Sequence, residues 1–175
     1  MKKVSKTVCE QTKATGIFTA ELFDKYGKLK WREVFPNLVV TQGKNFLLDN
    51  GLAGSAYTAA FYLGLISSVT YTAIVAGDTA ASHTGWTEAG ATNAPAYSGA
   101  RRTAVWAAAS AGSKALSAAL SFTFTSAGTV KGAFLSTAPT VDAVTGALYS
   151  AGLFSADRAG IVSGDILNVS YATSL

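Results

Sequence analysis

Residues 17–23, IFTAELF, alternate along the chain. Phe18, Ala20 and Leu22 fall on one side, and Ile17, Thr19, Glu21 and Phe23 on the other. That two-residue period predicts a half-buried strand. Asp24-Lys25-Tyr26-Gly27 is a turn signal in which Gly27 is free to take positive φ. Residues 28–35, KLKWREVF, read as the return strand of a β-hairpin, with Leu29 and Trp31 on one face. Pro36-Asn37 is expected to end it, and Leu38-Val39-Val40 forms a short extended run.

Residues 42–50, QGKNFLLDN, are the best helix candidate, with Thr41 as its cap and Gly51 as its terminator. Residues 57–66, YTAAFYLGLI, run apolar and aromatic without a polar break, as a strand buried on both faces does. Five further strands are expected at 100–109, 115–125, 129–137, 146–155 and 165–173, punctuated by Gly112, Gly128, Pro139, Gly160 and Gly164. Phe122 and Phe124 alternate with Ser121, Thr123 and Thr125, which places both rings on the buried face of a central strand. The alanine-rich stretch 107–120 suits a helix by propensity, but Gly112 in its middle favours two strand ends and a turn.

Between these strands lies a long connection, residues 67–99, containing Gly77, Gly85, Gly90, Pro95 and Gly99. Connections of that length in a compact domain are usually functional or disordered. It is expected to carry a short helix at 78–83 and to form part of a contact surface. Together the elements predict a mostly β protein: an antiparallel two-sheet β-sandwich, jelly-roll-like, with one or two short helices. The domain is expected over 16–175, behind an N-terminal arm of residues 1–15.

Composition sharpens this picture. Nine Phe, seven Tyr and three Trp supply core residues in 175 positions, enough for one self-sufficient core. Only 14% of residues are charged, against about 25% in ordinary domains, so Ala, Gly, Ser and Thr must cover much of the surface. That suits a protein built into an assembly. The net charge of +4 lies wholly in the first 50 residues, which hold nine Lys/Arg and five Asp/Glu; the remainder holds five of each. Lys2, Lys3, Lys6 and Lys13 make the arm basic, a candidate for resting on a neighbouring surface. The opening MKKVSKTVCEQTK follows its basic residues with no apolar run, so no secretory signal is expected there, and no stretch is long and apolar enough for a membrane span.

Reagents for catalysis are scarce. Cys9 and His83 are single, so neither an internal disulfide nor a zinc site of Cys and His ligands is expected. His83 reads as a loop histidine with a structural hydrogen bond. Asp78 and Glu88 flank the 78–88 loop and could meet as a carboxylate pair, but read better as a helix cap and a surface charge. No cofactor, metal site or catalytic residue is assigned. The candidate partner-binding residues are the four arm lysines, Trp86 in the long connection, and Arg101 and Arg102 shortly before Trp106; the alternative reading makes Trp86 and Trp106 core or interface anchors and sets Arg101 and Arg102 at a strand edge. Without a basic stripe, direct nucleic-acid binding is not expected.

Several runs carry a resemblance. Trp31-Arg32-Glu33-Val34-Phe35-Pro36-Asn37-Leu38-Val39-Val40, then Thr41-Gln42-Gly43 and Leu47-Leu48-Asp49, resemble the opening of a group of small tailed-bacteriophage virion proteins. Phe61-Tyr62-Leu63-Gly64-Leu65-Ile66, Ala76-Gly77-Asp78-Thr79 and Ser82-His83-Thr84-Gly85-Trp86-Thr87-Glu88 are similar to the same group. So are Gly132-Ala133-Phe134-Leu135, Thr145-Gly146-Ala147-Leu148-Tyr149 and Gly164-Asp165. The resemblance implies a non-enzymatic virion component. A capsid decoration, or cement, protein that bridges major capsid subunits is the first expectation, and a tail-fibre or other appendage module the alternative. It further implies the phage particle as location, other virion proteins as partners, and homo-oligomers.

Overall fold

The structure, a computed structural model, describes residues 13–52 and 60–174, with the side chains of 49–52 left out. Lys2, Lys3 and Lys6 lie outside the described residues.

The expected hairpin forms from β1 (Thr15–Phe23) and β2 (Leu29–Val39). Gly27 takes φ +82°, and the Asp24 carboxylate accepts the backbone N–H groups of Tyr26 and Lys28, both at 2.9 Å, which closes the turn. Helix α1 (Thr41–Leu52) follows, with Gly51 inside it and not ending it. Then come β3 (Tyr62–Ser67), β4 (Glu88–Ala89), β5 (Arg102–Thr103), β6 (Ser113–Ala115) and β7 (Leu120–Thr123). The last three are β8 (Gly128–Ser136), β9 (Leu148–Ile161) and β10 (Ile166–Ser174).

All the strand pairings between these elements are antiparallel, and they join in one path, β4-β3-β8-β9-β2-β1-β10-β6, with β5 on β3 and β7 on β10. The path is a single curled sheet, a half-barrel, where separate sheets in jelly-roll order had been expected. The reason lies in β2. Leu29 and residues 31–36 pair with β1, with a bulge at Lys30, and Asn37, Leu38 and Val39 pair with Gly152, Ala151 and Ser150 of β9. Pro36, expected to end the strand, lies where β2 changes partner, a position at which a missing N–H costs little.

Inside the curl the two halves share one core. Phe18, Leu22, Phe122, Leu167 and Tyr171 come from the β1–β10 half and meet Leu63, Leu65, Leu135, Phe154 and Ile161 from the β3–β8–β9 half. Phe122 and Phe124 are buried while Ser121, Thr123 and Thr125 are exposed, as the alternation predicts. The strand holding Phe122 is not central, however: β7 pairs with β10 alone. The 107–120 stretch turns at Ala111 and Gly112, both with positive φ (48° and 73°), and Ser110 and Ser113 exchange backbone hydrogen bonds at 2.9 Å. The expected strand 100–109 shrinks to β5, because Val105 to Ser110 become the outer arm of this hairpin.

Candidate interaction surface

The two halves of the sheet differ in what covers their outer faces. β1 and β10 alternate buried and accessible residues, whereas β3, the end of β8 and the start of β9 are buried continuously. Continuous burial needs a second layer. Residues 68–87 supply it. Trp86, 2% exposed, packs with Val40, Ile66, Ala80, Phe134, Leu148 and Ala151 in a second core on the outer side. Its ring lies 5.1 Å from that of Phe134. Gly64 makes room for Phe134, since a Cβ there would fall 2.4 Å from the Phe134 ring.

The long connection is therefore a lid on its own sheet. Trp86 is a core residue, not an exposed anchor. The clue in the sequence was the doubly apolar run at 57–66, which required a cover that the 67–99 segment could provide. No helix forms at 78–83. Asp78, expected as a helix cap, instead accepts from Trp86 Nε1 and from the Val75 N–H, both at 3.0 Å. His83 stacks on Trp86, with ring centroids 4.0 Å apart, and its Nδ1 lies 3.0 Å from the Trp86 carbonyl. The structural role expected for His83 is the one its geometry supports. Gln42 joins helix, lid and sheet, because its Oε1 accepts from Ala80 N (3.2 Å) and Leu148 N (2.7 Å). Beside it, a cleft of about 560 Å³ is lined by Thr41, Gln42, Asn45, Phe46, Gly77, Thr79 and Ala147, none of them titratable in the ordinary range.

The paired arginines divide. Arg101 is buried and meets Glu88 through two hydrogen bonds, and it also donates to Ser136 Oγ and the Ala138 carbonyl. Glu88, expected as a surface charge, is buried with it and also accepts the Asp142 N–H at 2.7 Å. Burial pushes the Glu88 carboxyl up from its ordinary value, against the pull of Arg101 and of that N–H. Arg102 is partly exposed, but its guanidinium donates to the carbonyls of Ser98, Ala100 and Ser121 and lies over the rings of Phe122 and Tyr97. It clamps a loop to β7. Both guanidinium groups are thus engaged within the fold, Arg101 buried and Arg102 partly exposed. Trp106 packs edge-on to Phe61 and Tyr171 at the core margin. Of the arm lysines, Lys13 alone is described, and it is exposed.

Two more ion pairs fill the seam where β2 and β9 diverge. Glu33 accepts from the Ser155 N–H and from Arg158, whose guanidinium lies over Trp31. Lys30 joins the buried Asp165 at 2.7 Å. Burial would raise the Glu33 carboxyl, but the Ser155 and Arg158 hydrogen bonds and the Arg158 charge outweigh it and hold it below the ordinary value. Sequence reading missed these pairs because their members are more than a hundred residues apart.

What remains open is the outer face of β2, β1 and β10. The register lays side chains there in rows. Pro36, Ile17, Ala172 and Ala115 form one row, and Val34, Thr19 and Ser170 the next. Arg32, Glu21, Asn168 and Ser121 follow, then Leu29, Phe23, Ile166 and Thr123. Ile17 and Val34 are each 51% exposed. These rows carry one acid and one base, Glu21 and Arg32, paired at 3.1 Å. No described segment lies over this face as residues 68–87 lie over the other half.

Among the described residues, no three His, Cys, Asp or Glu side chains are grouped to hold a metal ion, and no helix is long and apolar enough to cross a membrane. No family model, curated protein or solved structure matches the chain.

Proposed function

We propose that this protein is a non-enzymatic structural component of a virus particle, a decoration protein that binds the assembled capsid and stabilises it by bridging neighbouring subunits. The carrying observation is the open, nearly charge-free outer face of β2, β1 and β10. A face of β-branched, small and apolar residues costs little to desolvate when another protein covers it. Three ion pairs are meanwhile engaged within the fold: Arg101 with Glu88, Arg158 with Glu33, Lys30 with Asp165. The bacteriophage assignment comes from the resemblance of residues 31–49, 61–66 and 76–88 to small virion proteins. The basic arm supports the same reading, since Lys2, Lys3, Lys6 and Lys13 give it the charge to rest on a neighbouring surface.

A protein that binds the assembled lattice but not its dispersed subunits stabilises the lattice by linkage, and many weak contacts add through avidity. The test is the number of copies per purified particle, measured by quantitative mass spectrometry, with the heat stability of particles that lack the protein. Many copies per particle and lowered heat stability on removal are expected. A few copies per particle, at one vertex or in the tail, would assign the chain to an appendage instead.

A further inference from the structure

We infer that the open face of β2, β1 and β10 binds a second copy of this chain, face to face, about a two-fold axis running along the strands between β1 and β2. The inference rests on reading that face as an assembly surface and names its occupant.

The argument is one of charge and register. Glu21 on β1 and Arg32 on β2 are directly opposite each other in the antiparallel ladder. Their side chains are 37% and 56% exposed, so both have capacity for a further partner. A two-fold axis lying in the interface, parallel to the strands and midway between β1 and β2, leaves each row at its own height and exchanges the two strands. Glu21 of one copy then faces Arg32 of the other, and the reverse. The four charges alternate in sign around a square. In the neighbouring rows the same operation lays Thr19 over Val34 and Ile17 over Pro36, small or flat groups over branched apolar ones. The packing is the aligned, face-to-face kind that two sheets adopt about 10 Å apart. An isologous contact must be self-complementary, and a face with one adjacent acid–base pair amid uncharged residues meets that condition. A partner of another kind would meet no excess charge of either sign to select it.

The experiment uses the full chain in solution, without particles, so that it stands apart from the decoration reading. Sedimentation equilibrium of the unaltered protein is expected to show a monomer–dimer equilibrium. E21R and R32E each set like charges against each other across the axis, and each is expected to weaken the dimer more than about tenfold. At concentrations where the parent is monomeric, both should melt as it does, because an exposed pair contributes little to folding. An equimolar mixture of E21R and R32E restores opposite charges across the axis and is expected to dimerise again, which a folding defect would not allow. Val34→Lys is a second, independent way to abolish the dimer. A parent protein that stays monomeric overturns the inference and leaves the face to a different chain. So does a dimer that E21R and R32E leave intact, or a mixture that fails to recover.

Discussion

Arg101 and Glu88 form a bidentate ion pair inside the protein, Nη2 to Oε2 at 2.6 Å and Nε to Oε1 at 2.9 Å, with both side chains sealed from solvent. The pair ties the start of β5 to β4, and through Asp142 and Ala138 it holds the loop after β8. Removing one partner of such a pair leaves a buried charge without compensation and costs about 3–5 kcal/mol. Arg101→Met is therefore expected to lower unfolding free energy in urea by that amount. The loss should shrink as pH falls, since the Glu88 carboxyl already has a raised value and its protonated form is the one burial favours. The double change Glu88→Gln with Arg101→Met should recover part of the loss. A loss under about 1 kcal/mol, the range of an exposed pair, would show that the pair is solvated.

Trp86 tests the lid. Its indole fills the outer core and donates to Asp78. Trp86→Ala is expected to cost the isolated protein about 3–5 kcal/mol, and Trp86→Phe less, because only the Asp78 bond and part of the volume are lost. Protease cleavage within residues 68–87 should accelerate in both. Unchanged melting of Trp86→Ala would mean that the lid is not a structural layer.

The inward rings of the β7 region should separate from their outward neighbours. Phe122→Ala and Phe124→Ala each remove a fully buried ring, at about 3–5 kcal/mol. Thr123→Ala changes an exposed position and should stay within about 0.5 kcal/mol. Chemical denaturation of the three variants decides it, and equal effects would refute the facing.

Acid should loosen the β2–β9 seam through Glu33. Its carboxyl is held below the ordinary value in the folded protein, so the stability it contributes is full above the unfolded value and is lost as pH falls through the folded one. The parent protein is expected to lose stability as pH drops below about 4.5, the ordinary value for a glutamate. Glu33→Gln should be less stable at neutral pH and show a shallower acid decline. Parallel pH curves for the two proteins would exclude Glu33 as the cause.

The hairpin at 107–116 leaves room for improvement. Ala111 sits at φ 48°, in the left-handed region that costs a residue with a Cβ about 1 kcal/mol, while Gly112 at φ 73° pays nothing for it. Ala111→Asn or Ala111→Gly is expected to raise the melting temperature slightly, and Gly112→Ala to lower it. A drop with Ala111→Gly would show that the turn has another conformation.

Much of this architecture is local and was legible in the chain. The alternation at 17–23 and at 121–125 set which side chains face inward, because a strand's period is two whatever it packs against. Asp24 and Gly27 wrote the first turn, and Gly112 decided against a helix where alanine content favoured one. The low charge content, and the confinement of the net positive excess to the first third, were visible before any fold.

The tertiary structure decided what covers each face. In sequence Trp86 reads either as an exposed anchor or as a core residue, and Arg101 as one of a pair at a strand edge, because an isolated tryptophan in a loop and a pair of arginines do not fix their own burial. They are inside because the outer face of β3, β8 and β9 is apolar and draws residues 68–87 over it, and because Glu88 lies opposite Arg101 once β3 brings their segments together. β2 changes partner at Pro36 because β1 and β9 reach it from opposite edges, and they are more than a hundred residues apart in the chain. Burial is a sum over such remote contacts. The local pattern can say that a strand has two faces, but only the assembled sheet determines that, among the described residues, the β3–β8–β9 half is covered twice and the β1–β2–β10 half once.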